Sequence, residues 1–232
     1  MNSSDMFNNV FVGITHTAVE ETPPKPAIRV KELSERDRRR VLMHFLALGE
    51  ADRLLRFGTV LPDELVTKYV QRLDFTRDTI FGVYDSRFKL AGVGHLAFAP
   101  RDALPAINGA TEKERLAEFG VSVLESARGH GIGSKLFERA AIHCRNADVD
   151  TLYMHCLATN QTMIHIAKKA GMEIQRDYGE ADAYLKLSPA NASTVLQEAV
   201  EEQVAMFDYA LKANARAAKK WLNNLSHFKK AS

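Results

Sequence analysis

The chain has 232 residues, 46% of them apolar, with 31 basic against 29 acidic side chains and a formal net charge of +2. That length suits one domain with extensions, and the apolar share is ample for a core. The charge balance gives no general reason to expect nucleic-acid binding, and two cysteines, Cys144 and Cys156, argue against a disulfide framework.

Met1 to Pro26 carries Asn-Asn, Ser-Ser and Pro23-Pro24-Lys25-Pro26 and reads as a flexible N-terminal arm, residues 1–27. Ile28-Arg29-Val30 begins the first strand. Leu33 to Leu48 predicts a helix, and Pro62 to Leu73 a second one with Pro62 at its first turn. Thr79 to Tyr84 and Leu90 to Phe98 read as strands joined by a turn near Asp85-Ser86. Ala117 to Val123 reads as another strand. Ser134 to Asn146 predicts a helix, with Leu136, Ala140 and Cys144 at four-residue steps. Thr151 to Leu157 is β-rich. Asn160 then opens a helix ending at Lys168-Lys169-Ala170-Gly171, with Gly171 as its C-cap. Met172 to Arg176 and Ala183 to Leu187 read as closing strands.

Beyond Pro189, residues 188–232 read as a long amphipathic helix. Val200, Val204, Phe207, Leu211, Asn214, Ala218, Trp221 and Leu225 alternate four-three, a heptad seam with one polar member. The stripe fits either packing on the chain's own domain or a homodimer contact. Lys212, Arg216, Lys219 and Lys220 lie off the seam and read as a solvated face. No signal peptide and no membrane-spanning apolar run is read, so no membrane partner is expected.

The segment Arg128-Gly129-His130-Gly131-Ile132-Gly133 stands between a strand and a helix. Glycines let backbone approach an anion, and a helix N-terminus offers free N–H groups and positive dipole. The dinucleotide fingerprint fails, because the sixth position counted from Gly129 is Ser134. Gly133-Ser134-Lys135 is not the Gly-Lys-Ser/Thr end of a nucleotide-hydrolase phosphate loop. What remains is Arg-x-x-Gly-x-Gly, met by Arg128, Gly131 and Gly133.

This motif, the strand Ala117 to Val123 before it, and Asn160 followed by Gly171-Met172 resemble the GNAT acetyltransferase superfamily. The resemblance runs from about Ile28 to Leu187 and is motif-specific from Glu118 to Met172. It implies an α/β fold: a single domain, residues 28–187, with a mixed, mainly antiparallel sheet flanked by helices. The long C-terminal helix is then an addition. It also implies acetyl-CoA as cosubstrate, an amine acceptor and, since CoA esters are cytoplasmic metabolites, a cytoplasmic enzyme.

By the same resemblance Arg128, Gly129, His130, Gly131, Ile132, Gly133 and Ser134 hold the pyrophosphate, with Asn160 nearby. Val121 and Val123 lie where the pantetheine arm pairs with the strand. Glu118 matches a glutamate that many members use as base. The other reading of Glu118 is a carboxylate paired with Arg115. The family's acid, a tyrosine seven residues after the asparagine, is Ala167 here, which cannot donate. Tyr153 and Tyr178 are the acid candidates. His155 and His165 are polar neighbours, and His165 should face away from position 167. Glu50, Asp52, Glu180 and Asp182 would draw a cationic acceptor, Arg53 and Arg56 an anionic one. His143-Cys144 and His155-Cys156 lack metal-site spacing, so no metal is expected. The alternatives are a non-catalytic acyl-CoA-binding or regulatory module and an enzyme for a different acyl-CoA.

Overall fold

The computed structural model describes residues 27–99 and 115–228, with side chains through 220. The expected N-terminal arm lies outside them, save Ala27, and so do the side chains of Trp221 and Leu225.

Seven strands form one sheet in the order β1-β2-β3-β4-β5-β7-β6. They are β1 (Lys31–Glu32), β2 (Thr79–Tyr84), β3 (Leu90–Phe98), β4 (Leu116–Val123), β5 (Thr151–Leu157), β6 (Glu173–Asp177) and β7 (Glu180–Lys186). Only β4 and β5 run parallel; every other neighbouring pair is antiparallel. β2, β3 and β5 end where the sequence predicts. The first strand does not: Ile28 to Val30 stay outside the ladder, and pairing begins at Lys31↔Gly82.

Among the described residues three helices precede β2, not the two expected. α1 (Arg38–Leu46) follows a 3-10 turn, α2 (Glu50–Phe57) starts after Gly49 and ends at left-handed Gly58, and α3 (Asp63–Arg72) has Pro62 at its N-cap. Their apolar sides cover one sheet face with Val41, Phe45, Val66, Val70, Ile80 and Val93. On the other face lie α4 (Ile132–Asn146) and α5 (Gln161–Lys169), burying Leu136, Phe137, Ala140, Phe119, Leu152 and Met154. A fully buried Leu or Phe contributes roughly 1.5–3 kcal/mol, so these two clusters fix the layers. β7 starts at Glu180, three residues earlier than predicted. A two-residue hairpin at Tyr178 and Gly179, both at positive φ, pairs Asp177 with Glu180.

α6 (Ala192–Phe228) lies against α4 and β1. Its contact face is not the predicted seam. Ala205, Tyr209 and Ala213 turn inward, with Glu198 and Glu202 bonded to Arg139 of α4. Val200, Phe207 and Leu211 face solvent, and Val204 is half-buried. The ion cluster explains the inversion, because Arg139 is buried and, among the described residues, only α6 brings carboxylates to it. No helix among the described residues is long and apolar enough to cross a membrane.

Candidate active site

The β4–β5 ladder is short. It pairs Leu116, Ala117 and Glu118 with Thr151, Leu152 and Tyr153 and then stops. From Phe119 to Val123, β4 keeps β3 on one side and, among the described residues, has no strand on the other. The gap opens into a cavity of about 570 Å³ bounded by α2, β4, α4 and α5. Val121 and Val123 line it and are half-buried.

The floor of this cavity is the glycine loop. Gly129 and Gly131 stand at φ 76° and 83°, where a side chain would be strained. Gly131 caps α4 with no side-chain acceptor, and Ile132, Gly133 and Ser134 form its first turn. Among the described residues the N–H groups from Gly129 to Ser134 donate to no backbone carbonyl. Six free donors at the positive end of a fifteen-residue helix suit a phosphate-bearing ligand. The residues therefore fit the pyrophosphate of a CoA ester. Arg128 is less free than expected: its guanidinium pairs with Asp52 of α2, and its Nε donates to the Val123 carbonyl. His130 is exposed beside the loop.

Asn160 is buried at the N-cap of α5. Its Oδ1 accepts from the Met163 N–H at 3.1 Å, and its amide reaches the Leu55 carbonyl at 3.4 Å, so it shapes the cavity by tying α5 to α2. On α5 the cavity side is Thr162, Met163, His165, Ile166 and Lys169. Ala167 is in the core, 2% exposed. His165 thus faces away from position 167, as expected, and that direction is into the cavity.

On the opposite wall two polar chains run behind β4. The sequence shows neither, since each joins residues far apart. In the first, His44 Nδ1 meets the Leu90 carbonyl at 2.9 Å and Nε2 meets Ser122 Oγ at 2.8 Å. A carbonyl only accepts, so Nδ1 carries the proton and the Ser122 hydroxyl donates to Nε2. Burial lowers the imidazole to about 4, against the pull of the Leu90 carbonyl. The second chain is Arg56, Tyr69, His95 and Asp78. Arg56 Nη2 donates to the Tyr69 hydroxyl at 2.9 Å, that hydroxyl meets His95 Nδ1 at 3.0 Å, and His95 Nε2 meets Asp78 at 3.1 Å. The carboxylate fixes the proton on Nε2, so Tyr69 donates to Nδ1. Burial lowers the His95 pKa, with the Asp78 hydrogen bond opposing it. The Arg56 guanidinium lies over Phe57, Tyr69 and Phe45, 5.2, 5.7 and 5.8 Å from their centroids. It lines the cavity and presses on Gly120, where an added Cβ would stand 2.8 Å from its Cζ.

Glu118 stands where the ladder ends, exposed, and its carboxylate makes no hydrogen bond or ion pair among the described residues. Arg115, the alternative partner, instead gives its guanidinium to the Ala147 carbonyl. Tyr153 is directly across from Glu118, and its hydroxyl donates to Asp182 at 2.7 Å. Burial and that carboxylate raise its pKa, so it holds its proton tightly. Tyr178 is fully exposed at the hairpin tip and does not line the cavity. Of the acceptor candidates, Asp182 is bonded to Tyr153 and His155, Asp52 to Arg128, and Arg53 to the carbonyls of Leu46, Leu48 and Leu61. His155 and Cys156 point to opposite sheet faces, and among the described residues no three metal-ligating side chains converge.

A split parallel pair, a glycine loop on a helix N-terminus, and a model match over residues 50–172 to the Acetyltransferase (GNAT) family agree. The chain belongs to the GNAT acetyltransferase family. GNAT structures share its fold. The GNAT domain of S. lividans PAT superposes with a TM-score of 0.56 at 19% identity, covering 69% of this chain and 90% of that one. Spermidine N-acetyltransferase from Vibrio cholerae, in complex with CoA and spermine, gives 0.52 at 18% identity over 68% and 95%. Arabidopsis thaliana NAA60 with a bisubstrate analogue gives 0.53 at 14% over 71% and 100%. No curated protein sequence matches the chain.

Proposed function

We propose that this GNAT member is an N-acetyltransferase that moves an acetyl group from acetyl-CoA to a primary amine of a small molecule or a protein by direct attack. The observation that carries the reading is one cavity joining the unpaired edge of β4 to the free N–H groups of the glycine loop. The loop, Val121 and Val123 orient the donor. Glu118, at the end of the ladder with a carboxylate free of hydrogen bonds among the described residues, takes the proton of the incoming amine directly or through water. Aliphatic amines have a pKa of about 10, so most arrive protonated at neutral pH. As the C–N bond forms and the C–S bond breaks, negative charge gathers on the carbonyl oxygen and then on sulfur. Arg56, lining the same cavity, offers a fixed cation to that charge. With alanine at 167, the departing thiolate takes its proton from water or from His165 on the cavity side of α5.

The test is Glu118→Gln. The rate of thiol release from acetyl-CoA with an accepted amine should fall roughly 10²–10⁴-fold at neutral pH. The loss should shrink at high pH, and donor binding by calorimetry should stay within about twofold. A loss equal at every pH would remove Glu118 as base. The buried Ala167 favours a second reading, an acyl-CoA-binding module without turnover. Donor binding with no thiol release across a panel of amines and peptides would establish that reading instead.

A further inference from the structure

α6 is fastened by one face and bare on the other. Glu198 and Glu202 hold Arg139, Lys212 Nζ donates to the Tyr84 carbonyl at 2.9 Å, and Tyr209 packs on Tyr84 and Phe88. The opposite face carries Leu196 at 65% exposure, Val200 at 52%, Phe207 at 68% and Leu211 at 54%. A surface helix ordinarily turns its large apolar side chains toward its own domain. Here the domain side has charges and small or aromatic groups, and the large aliphatic stripe is left in water. The stripe keeps coiled-coil spacing and continues through Asn214 and Ala218, both exposed.

The charges of α6 identify the occupant. Glu198, Glu201, Glu202 and Asp208 fill its first half. Lys212, Arg216, Lys219 and Lys220 fill the second, with no sign mixed into the other's half. Glu198 and Glu202 are held by Arg139, Asp208 by Lys212 and Arg216 by the Phe88 carbonyl, so Glu201 in the first half and Lys219 in the second are left for a partner. A second α6 laid antiparallel sets each Glu201 along a Lys219, which makes the surface complementary to itself about a two-fold axis. A parallel pair would align Asn214 with its own copy, but it would also set Glu201 beside Glu201 and Lys219 beside Lys219. We infer that two copies of this chain pair antiparallel along the outward face of α6. Alternating seam positions then put Phe207 against the partner's Leu211 and Val200 against the partner's Ala218. Glu201, bonded within its own helix only to Gln197, comes alongside the partner's Lys219.

Light scattering on the full chain should give twice the 25.9 kDa chain mass. Phe207→Asp with Leu211→Asp should give a folded monomer by circular dichroism, since both side chains are exposed and hold nothing in the fold. Glu201→Lys and Lys219→Glu should each weaken the dimer roughly fivefold, because each dimer contains the pair twice. Combining the two should restore affinity. A monomeric full chain overturns the inference, as does a dimer that survives the Phe207 and Leu211 changes. Charge reversals that fail to rescue each other overturn the antiparallel arrangement.

Discussion

At the scale of single residues, a tight constraint near the chemistry is Gly120. It stands on β4 opposite His95, and the Arg56 guanidinium fills the volume a side chain would take. Gly120→Ala brings a methyl to 2.8 Å from Cζ and Nη2 of Arg56, so the guanidinium must move and its bond to Tyr69 must lengthen. A hydrogen bond to a charged group is worth roughly 1.5–3 kcal/mol. If Arg56 stabilises charge during transfer, turnover in Gly120→Ala should fall about 10- to 100-fold while donor affinity stays nearly constant. Unchanged turnover, measured by steady-state thiol release, would separate Arg56 from the chemistry. His44 plays a quieter part. Held neutral by burial, it ties α1 to β3 and β4 and so sets the distance from the first helix to the cavity.

At the scale of elements, α2 is the piece on which the cavity depends. It supplies Asp52, Leu55 and Arg56, yet none of its residues is buried. Its place is fixed by Arg53, which donates to the carbonyls of Leu46, Leu48 and Leu61 and pairs with Asp63 at 2.7 Å. Arg53→Met keeps the stem and loses the fork. Urea unfolding should show a loss of about 2–3 kcal/mol, and a loss under 0.5 kcal/mol would mean that α2 is held by other contacts. That helix was not legible in sequence because Ala51, Leu54 and Leu55 do recur at helical spacing but eight residues are too short a run for that spacing to decide. β2, β3 and β5 were legible because their apolar runs are long and bounded by turn residues. Glu180 to Asp182 did not read as strand, since that stretch is polar and only its hairpin turn sets where pairing begins. The glycine loop was readable as a local motif. The Arg56–Gly120 contact and the His44–Ser122 bond were not, because the fold joins residues 64 and 78 positions apart. Arg139 left only a faint trace, a charge beside Leu136 and Ala140 on the apolar side of α4. The heptad in α6 was real as a pattern, but its direction depended on where that buried charge found carboxylates.

At the scale of the whole molecule, α6 and the domain are joined through ionisable groups, so their union depends on pH. Burial works to raise the Glu198 pKa, but hydrogen bonds from His143, Arg139 and Asn146 outweigh it and hold the carboxyl down at about 2. A depressed carboxyl stabilises the fold above its unfolded value, near 4.5, and that contribution drains away as pH falls toward 2. Thermal melts should therefore lose Tm steeply below about pH 4.5. Glu198→Gln should start lower at neutral pH and fall less steeply over the same window. Parallel curves for the two proteins would show that the cluster does not drive acid unfolding. The sheet has its own weak line. Among the described residues, three residue pairs, Leu116 to Glu118 with Thr151 to Tyr153, and the Arg115 carbonyl that accepts from Asp150 and Thr151 join β1–β4 to β5–β7 by backbone. The proposed donor, lying along the bare edge of β4, would serve as an eighth strand that the chain itself does not encode. Occupancy and folding then become linked quantities. A donor bound there would bridge two halves that otherwise meet through a short ladder and the shared core of Phe119, Leu152 and Met154, so saturating donor should raise the temperature at which they melt as one.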